Sequence, residues 1–351
     1  MSLLALEVEG LRCLQPSRLD FHTHVNLVTG PNGAGKTSVL EAIYLLGRGR
    51  SFRTRHTERL IQHGAERLVV HGRTDNPSFP TLGFAFARND GVHARIAGRP
   101  AKSLAELSEA FPVQVMDPGI HRLVEEGPTY RRRWLDWGVF HVEPSFVADW
   151  THYRRALQQR AAALRGGSDP SPWEPELARL GHLLSDARAR TLRQLEPFWR
   201  ATLSVLLEDP VEMDYYRGWA AGQALGDVLA AHRTRDSERG TTGSGAHRFD
   251  VRLKVNSRPA PEVLSRGQQK LLGAALALSM AKLVGSSGRR APTLLLDDPA
   301  AELDRPRTDA LVTEIRKMRG QLVVTALHPE EARFGEPERA FHVEQGRITT
   351  L

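Results

Sequence analysis

The chain has 351 residues, 40% of them hydrophobic and 25% charged, with a formal charge of +7; this is an ordinary globular composition with material for two or three domains. Cys13 is its one cysteine, which excludes an internal disulfide and a cysteine-built zinc cage and suits a reducing, cytoplasmic setting. The opening MSLLALEVEG has Glu7 and Glu9 but no basic run, and the longest apolar stretch, Leu271 to Ala281, is about half a membrane span, so neither a secretory signal nor a membrane segment is expected.

Two short apolar strands come first, Leu3 to Val8 and Val25 to Thr29, the second running straight into a glycine-rich loop. Val39, Leu40, Ile43 and Leu46 then keep the spacing of one helix face. Arg67 to Arg73, Leu82 to Arg88 and Val92 to Ile96 read as strands, with Asn89-Asp90-Gly91 as a hairpin turn. From about Pro128 the pattern turns helical, over Tyr130 to Val142, Val147 to Leu164 and Pro175 to Leu207; the Gly/Pro-rich run 166–172 breaks it between the last two. Arg235 to Ala246 is polar and glycine-rich and reads as a mobile loop. Alternation of strand and helix resumes with a strand at Phe249 to Val255, a helix at Ser265 to Leu283, a strand at Thr293 to Asp297, a helix at Arg305 to Met318 and a strand at Leu322 to Thr325. The expected architecture is an α/β head with mixed sheets, assembled from residues 1–112 and 246–351. Residues 113–245 are expected to form a mainly helical arm inserted between the two halves.

Gly30-Pro31-Asn32-Gly33-Ala34-Gly35-Lys36-Thr37 fills every fixed position of GxxxxGK[ST] between a strand and a helix. Glycines there let backbone N–H groups turn inward on a polyphosphate, and the helix N-terminus adds its dipole. Lys36 is placed to reach the β- and γ-phosphates and Thr37 to ligate Mg²⁺. Leu294-Leu295-Leu296-Asp297-Asp298 is a buried strand that delivers carboxylates at its C-terminal end. Alone it is an ordinary strand and turn; beside a P-loop, Asp297 serves Mg²⁺ and Asp298 the attacking water. Ser265-Arg266-Gly267-Gln268 opens a long helix. It is at least a capping box, and the same geometry offers a hydroxyl and N–H groups to a phosphate.

These three segments, with Ala301-Glu302-Leu303-Asp304 after the second, resemble the Walker A, signature, Walker B and D-loop motifs of ABC-type ATPases. Ser51-Phe52-Arg53-Thr54 and the stretch from Gln114 to the Arg131-Arg132-Arg133-Trp134-Leu135-Asp136 run are similar to those of the RecF family, in the SMC-like branch. The resemblance covers residues 3 to about 328. It implies an ATP-dependent homodimer in which Ser265 and Gly267 contact ATP on the opposite protomer, Asp304 crosses the interface and Gln114 senses Mg²⁺ and γ-phosphate. His328 falls where such ATPases place a switch histidine. It also implies a recombination-repair protein that binds duplex DNA at gaps or junctions and helps load a recombinase, with RecR and the RecO pathway as partners. Asp298 stands where most ABC ATPases have Glu and Arg266 replaces a signature glycine. The shorter acid predicts slow, DNA-dependent ATP hydrolysis, a clamp rather than a motor. The competing reading is the ATPase subunit of a membrane ABC transporter, which requires neither the helical insertion nor the SFRT and RRRWLD segments.

Six of the 48 Lys and Arg residues are Lys, leaving 42 Arg, an excess that a GC-rich coding sequence also produces. The expected DNA contacts are the local clusters, Arg48, Arg50, Arg53 and Arg55 on the head and Arg131, Arg132 and Arg133 on the arm. No base-reading motif is visible, so binding is expected to be sequence-independent and salt-dependent.

Overall fold

The computed structural model describes residues 1–288 and 291–351. The chain divides into two compact units, one made of Met1–Ile120 with Leu276–Leu351, the other of His121–Ala275.

The first half of the first unit contains β1 (Leu3–Glu9), β2 (Ser17–Asp20), β3 (Val25–Thr29), α1 (Lys36–Arg48), β4 (Arg67–Thr74), β5 (Thr81–Ala87), β6 (Gly91–Ile96), β7 (Arg99–Pro100), α2 (Leu104–Ala110) and β8 (Val113–Met116). The second unit contains α3 (Arg122–Glu125), α4 (Pro128–Val142), α5 (Phe146–Arg165), α6 (Glu174–Leu206), β9 (Glu212–Tyr216), α7 (Leu225–Ala231), α8 (Arg233–Arg239), β10 (Asp250–Val255), β11 (Arg258–Pro259) and α9 (Ala260–Val263). Next comes α10 (Arg266–Ser286), within which the division falls, and the first unit finishes with β12 (Thr293–Asp297), α11 (Arg305–Arg316), β13 (Leu322–Ala326), α12 (Pro329–Ala332), β14 (Arg339–Glu344) and β15 (Arg347–Thr350).

Two six-stranded sheets make the first unit. One is antiparallel, in the order β2-β1-β4-β5-β6-β7; the other, β15-β14-β3-β13-β12-β8, is parallel apart from β15. Helix α1 packs against strands of both sheets, which explains why it is apolar nearly all round: Val39, Leu40, Ile43 and Leu46 are fully buried. Glu41 is the exception on that helix. Its carboxylate is buried, takes both Nε (2.9 Å) and Nη2 (3.1 Å) of Arg12 and accepts from Ser51 Oγ. A charge removed from water needs such partners, and in meeting that need Glu41 folds the SFRT segment back onto α1.

In the second unit α5 and α6 pack along each other, and α6 also contacts α4 and α7. Arg160 on α5 is fully buried and satisfied by Glu174 (3.3 Å), Asp236 (2.9 Å) and the Thr242 hydroxyl (2.8 Å). Arg188 on α6 is equally buried; it pairs with Asp136 (2.8 Å), donates to the Ala246 carbonyl and lies 3.7 Å above the Phe249 ring. Two sequence expectations change here. The run 235–246 is held in place: it contains most of α8, and Asp236, Thr242 and Ser244 are buried. Strand β10, expected to resume the head, instead pairs with β9 and β11 in a three-stranded sheet of the second unit. The divisions therefore fall at 120/121 and 275/276 rather than at 112/113 and 245/246.

Candidate functional site

Strand β3 lies between β13 and β14, and its chain leaves through residues 30–35 into α1. Gly30 sits at φ 144°, where a Cβ would lie 2.1 Å from the Val343 carbonyl oxygen, so only glycine passes this close to β14. Gly35 occupies the N-cap of α1 at φ 119°; no side chain caps this end and no acid lies in the first turn. The backbone amides and the helix dipole are thereby left to a bound anion. The Lys36 ammonium donates to the carbonyls of Gly30 (2.6 Å) and Pro31 (3.1 Å), folding over the loop it belongs to.

The parallel register sets Asp297 of β12 beside Thr325 of β13. Thr37, at the start of α1, donates to both carboxylate oxygens of Asp297 at 3.0 and 2.9 Å, although 260 positions separate the two residues. Thr325 donates to Asp297 at 2.8 Å and accepts the Asp298 N–H at 3.0 Å. Asp297 is buried, and this burial raises its carboxyl above the usual carboxylate range against the opposing hydrogen bonds from Thr325 and Thr37; Asp117 pushes it in the same direction and Arg53 opposes. Asp298 has a left-handed backbone, φ 45°, a conformation that Asp tolerates better than most residues.

Gln114 does not join this group. It lies opposite Leu294, three residues before the level of Asp297, or about 10 Å back along the strands, and its Oε1 is buried with no hydrogen-bond partner among the described residues. The residue of this segment that reaches the level of Asp297 is Asp117, just beyond β8. Neither Asp117 nor Thr325 stood out in the sequence; a polar residue at the end of an apolar strand was the only available signal.

Thr37 and Asp297 supply the hard oxygen donors that magnesium takes, and magnesium needs only one or two protein ligands when phosphates and water supply the rest. Among the described residues no group of three or more His, Cys, Asp or Glu could hold a metal; one hydroxyl and one carboxylate, Thr37 and Asp297, fit an ion that takes its other ligands from a polyphosphate. Asp304 is exposed and caps α11, accepting from the Arg307 N–H at 3.0 Å. His328 is exposed at the N-cap of α12. In the second unit Ser265 and Gln268 form the reciprocal cap, Ser265 N–H to Gln268 Oε1 at 2.9 Å and Gln268 N–H to Ser265 Oγ at 3.4 Å. Ser265 and Arg266 stay exposed, with Gly267 partly so.

The candidate DNA arginines separate into different environments. Arg131 is not available as a phosphate contact: it makes a two-pronged pair with Asp250 at 2.9 and 3.0 Å and donates to the Glu126 carbonyl at 2.8 Å. Arg132 reaches the Phe249 carbonyl at 3.2 Å, and Arg133 is exposed over the Tyr130 ring. On the head, Arg48 lies over the Tyr44 ring and burial lowers its pKa. Arg53 stands 3.9 Å from Glu41, and its charge opposes the rise in the Asp297 pKa; Arg50 and Arg55 are exposed.

Comparison with known proteins agrees with this geometry. Residues 2–349 match the RecF/RecN/SMC N terminal domain family. The DNA replication and repair protein RecF of Pseudomonas entomophila (strain L48) is 39% identical over 360 residues, covering 99% of this chain and 98% of that protein. RecF of Pseudomonas syringae pv. syringae (strain B728a) matches to the same extent. Among solved structures, the recombination mediator protein RecF with ATP, of the RecFOR pathway, superposes with a TM-score of 0.90 at 24% identity, over 100% of this chain and 97% of that one. An Smc head bound to the C-winged helix domain of ScpA shares the fold at a TM-score of 0.61 and 15% identity, over 100% of this chain and 98% of that one.

Proposed function

The chain belongs to the RecF branch of the RecF/RecN/SMC family, and from that premise we propose that it is an ATP-dependent DNA clamp of recombinational repair, acting in the cytoplasm. The observation that carries this reading is the convergence of Thr37, Asp297 and Thr325 at the mouth of a complete phosphate loop. Thr37 and Asp297 would hold Mg²⁺, which when bound neutralises charge on the β- and γ-phosphates. On binding ATP, Lys36 exchanges its two loop carbonyls for phosphate oxygens, and Arg53 adds a second cation there. Asp117 takes the position first assigned to Gln114.

Asp298, its backbone fixed by Thr325, orients the attacking water. Its short side chain makes hydrolysis slow, so that ATP turnover, stimulated by DNA, resets a clamp. Ser265 and Gly267 reach the γ-phosphate of ATP held by a partner protomer, and Asp304 crosses the same interface. The closed homodimer holds double-stranded DNA at gaps through exposed arginines, Arg50, Arg55 and Arg133 among them, and works with RecR and the RecO pathway in recombinase loading. Light scattering with ATP, with and without gapped DNA, tests this on wild type and Lys36→Met. ATP-dependent dimers that the variant loses are expected; monomers under every condition would refute the clamp.

A further inference from the structure

We propose that the solvent face of α5 is a contact surface for the phosphate backbone of duplex DNA, made by Arg154, Arg155 and Arg165 with His152, Gln158 and Gln159 among them. The inference rests on the DNA-binding reading above and names a surface which that reading does not contain.

Helix α5 buries one stripe, Phe146, Tyr153, Ala156, Arg160, Ala163 and Leu164, against the rest of its unit. The six proposed residues are all exposed, Arg154, Gln158 and Arg165 opposite that stripe and His152 at its edge. At about 100° per residue, Arg154, Gln158 and Arg165 fall within about 40° of one another, with Arg155, Gln159 and His152 on the adjoining arc. From His152 to Arg165 the face is about 20 Å long, which matches the axial rise of roughly six base pairs of duplex at about 3.4 Å each.

What marks this face is that its cations are clustered along one helix and unpaired. Several arginines of the unit are tied to acids, Arg131 to Asp250, Arg179 to Glu176, Arg190 to Glu143, Arg200 to Glu196 and Arg233 to Glu174. Arg154 and Arg155, adjacent and exposed, have no ion-pair or hydrogen-bond partner among the described residues, and Arg165 makes a single 3.5 Å contact with the Gly240 carbonyl. Asp149 is the only acid on α5; it lies in the first turn, where it acts on Arg179 of α6. Two unpaired guanidinium groups in mid-helix gain nothing from the helix dipole, whose favourable end for cations is the last turn. Guanidinium and carboxamide groups are the complement of a phosphate backbone, and nothing on this face reads a base edge; Glu176 of α6 acts on it only at the His152 edge.

The test is duplex binding by fluorescence anisotropy across roughly 50–200 mM salt. Each phosphate that a cation neutralises adds about 0.9 to the log–log salt slope. Arg154→Ala/Arg155→Ala should therefore lower that slope by about 1.8 and weaken binding by up to roughly 60-fold near 0.1 M salt. Arg154→Lys/Arg155→Lys should restore the slope, and the paired control Arg179→Ala/Arg200→Ala should leave it unchanged. An alanine variant that keeps the wild-type slope overturns the proposal. The same slope combined with abolished binding of a poly-glutamate peptide would assign the face to an acidic protein instead. A wild type that binds no duplex at all would instead refute the DNA-binding reading.

Discussion

Arg131→Ala tests whether the arginine run before Trp134 builds the protein or binds DNA. Arg131 and Asp250 retain only 12% and 14% side-chain exposure. Deleting one partner of a buried pair costs about 3–5 kcal/mol, because the other charge is left without compensation; residual access to water puts the expectation at the lower end, about 3 kcal/mol. The same guanidinium holds the Leu123, Val124 and Glu126 carbonyls at the C-terminal end of α3, so its removal also frees that turn from α4. All six tryptophans, Trp134, Trp137, Trp150, Trp173, Trp199 and Trp219, lie within His121–Ala275, so tryptophan fluorescence in urea reports this unit. With a slope near 2 kcal/mol per molar urea, its midpoint should fall by about 1.5 M. Asp250→Ala should fall similarly, and the double variant by less than the sum, with a coupling of about 2 kcal/mol. The salt slope of duplex binding should not move. A variant within about 0.5 kcal/mol of wild type whose slope drops by about 1 would refute the assignment and return Arg131 to the DNA interface.

The remaining predictions concern the second unit. Burial holds the His247 imidazole neutral, down to about 4, between Tyr153 at 2.8 Å and the Thr242 carbonyl at 3.0 Å. The unfolded chain takes up this proton near 6.5 and the folded one does not, so stability is complete above about pH 6.5 and falls by up to about 3 kcal/mol as pH drops towards 4; the tryptophan-reported urea midpoint of His247→Gln should be flatter over that window. Ser265→Arg removes the hydroxyl of the α10 cap, costing about 1 kcal/mol. It should leave ATP binding intact in equilibrium dialysis while scattering shows no ATP-dependent dimer; loss of both together would mean that Ser265 serves only the fold.

The phosphate loop was legible because all its requirements lie within eight consecutive positions. Asp297 could be paired with it since each carries its own local pattern. Thr325 and Asp117 could not, because their place beside Asp297 depends on strand order, and a lone Thr or Asp after an apolar run is common. Gln114 failed for the related reason that register decides which residue of β8 reaches the level of Asp297. Charge runs were the least legible. Arg131 and Arg133 are neighbours of one type, yet the first faces an aspartate 119 positions away and the second faces solvent. Strand β10 was seen but given to the wrong sheet, since alternation marks a strand and not its partner.

The strand that carries the phosphate loop draws both its neighbours from the far end of the chain: β3 at Val25–Thr29 pairs with β13 at Leu322–Ala326 and β14 at Arg339–Glu344. On a ribosome adding roughly 5–20 residues per second, β3 therefore waits on the order of tens of seconds for its first partner. The antiparallel strands β4 to β6 and the helices of the insertion, made of local contacts, can form during that interval. The nucleotide pocket is consequently the last part of the molecule to be built. A chain halted anywhere before β13 can present folded helices and a correct loop sequence but no strand beside β3 to hold that loop, so nucleotide occupancy reports that β13 and β14 have been made and have joined β3.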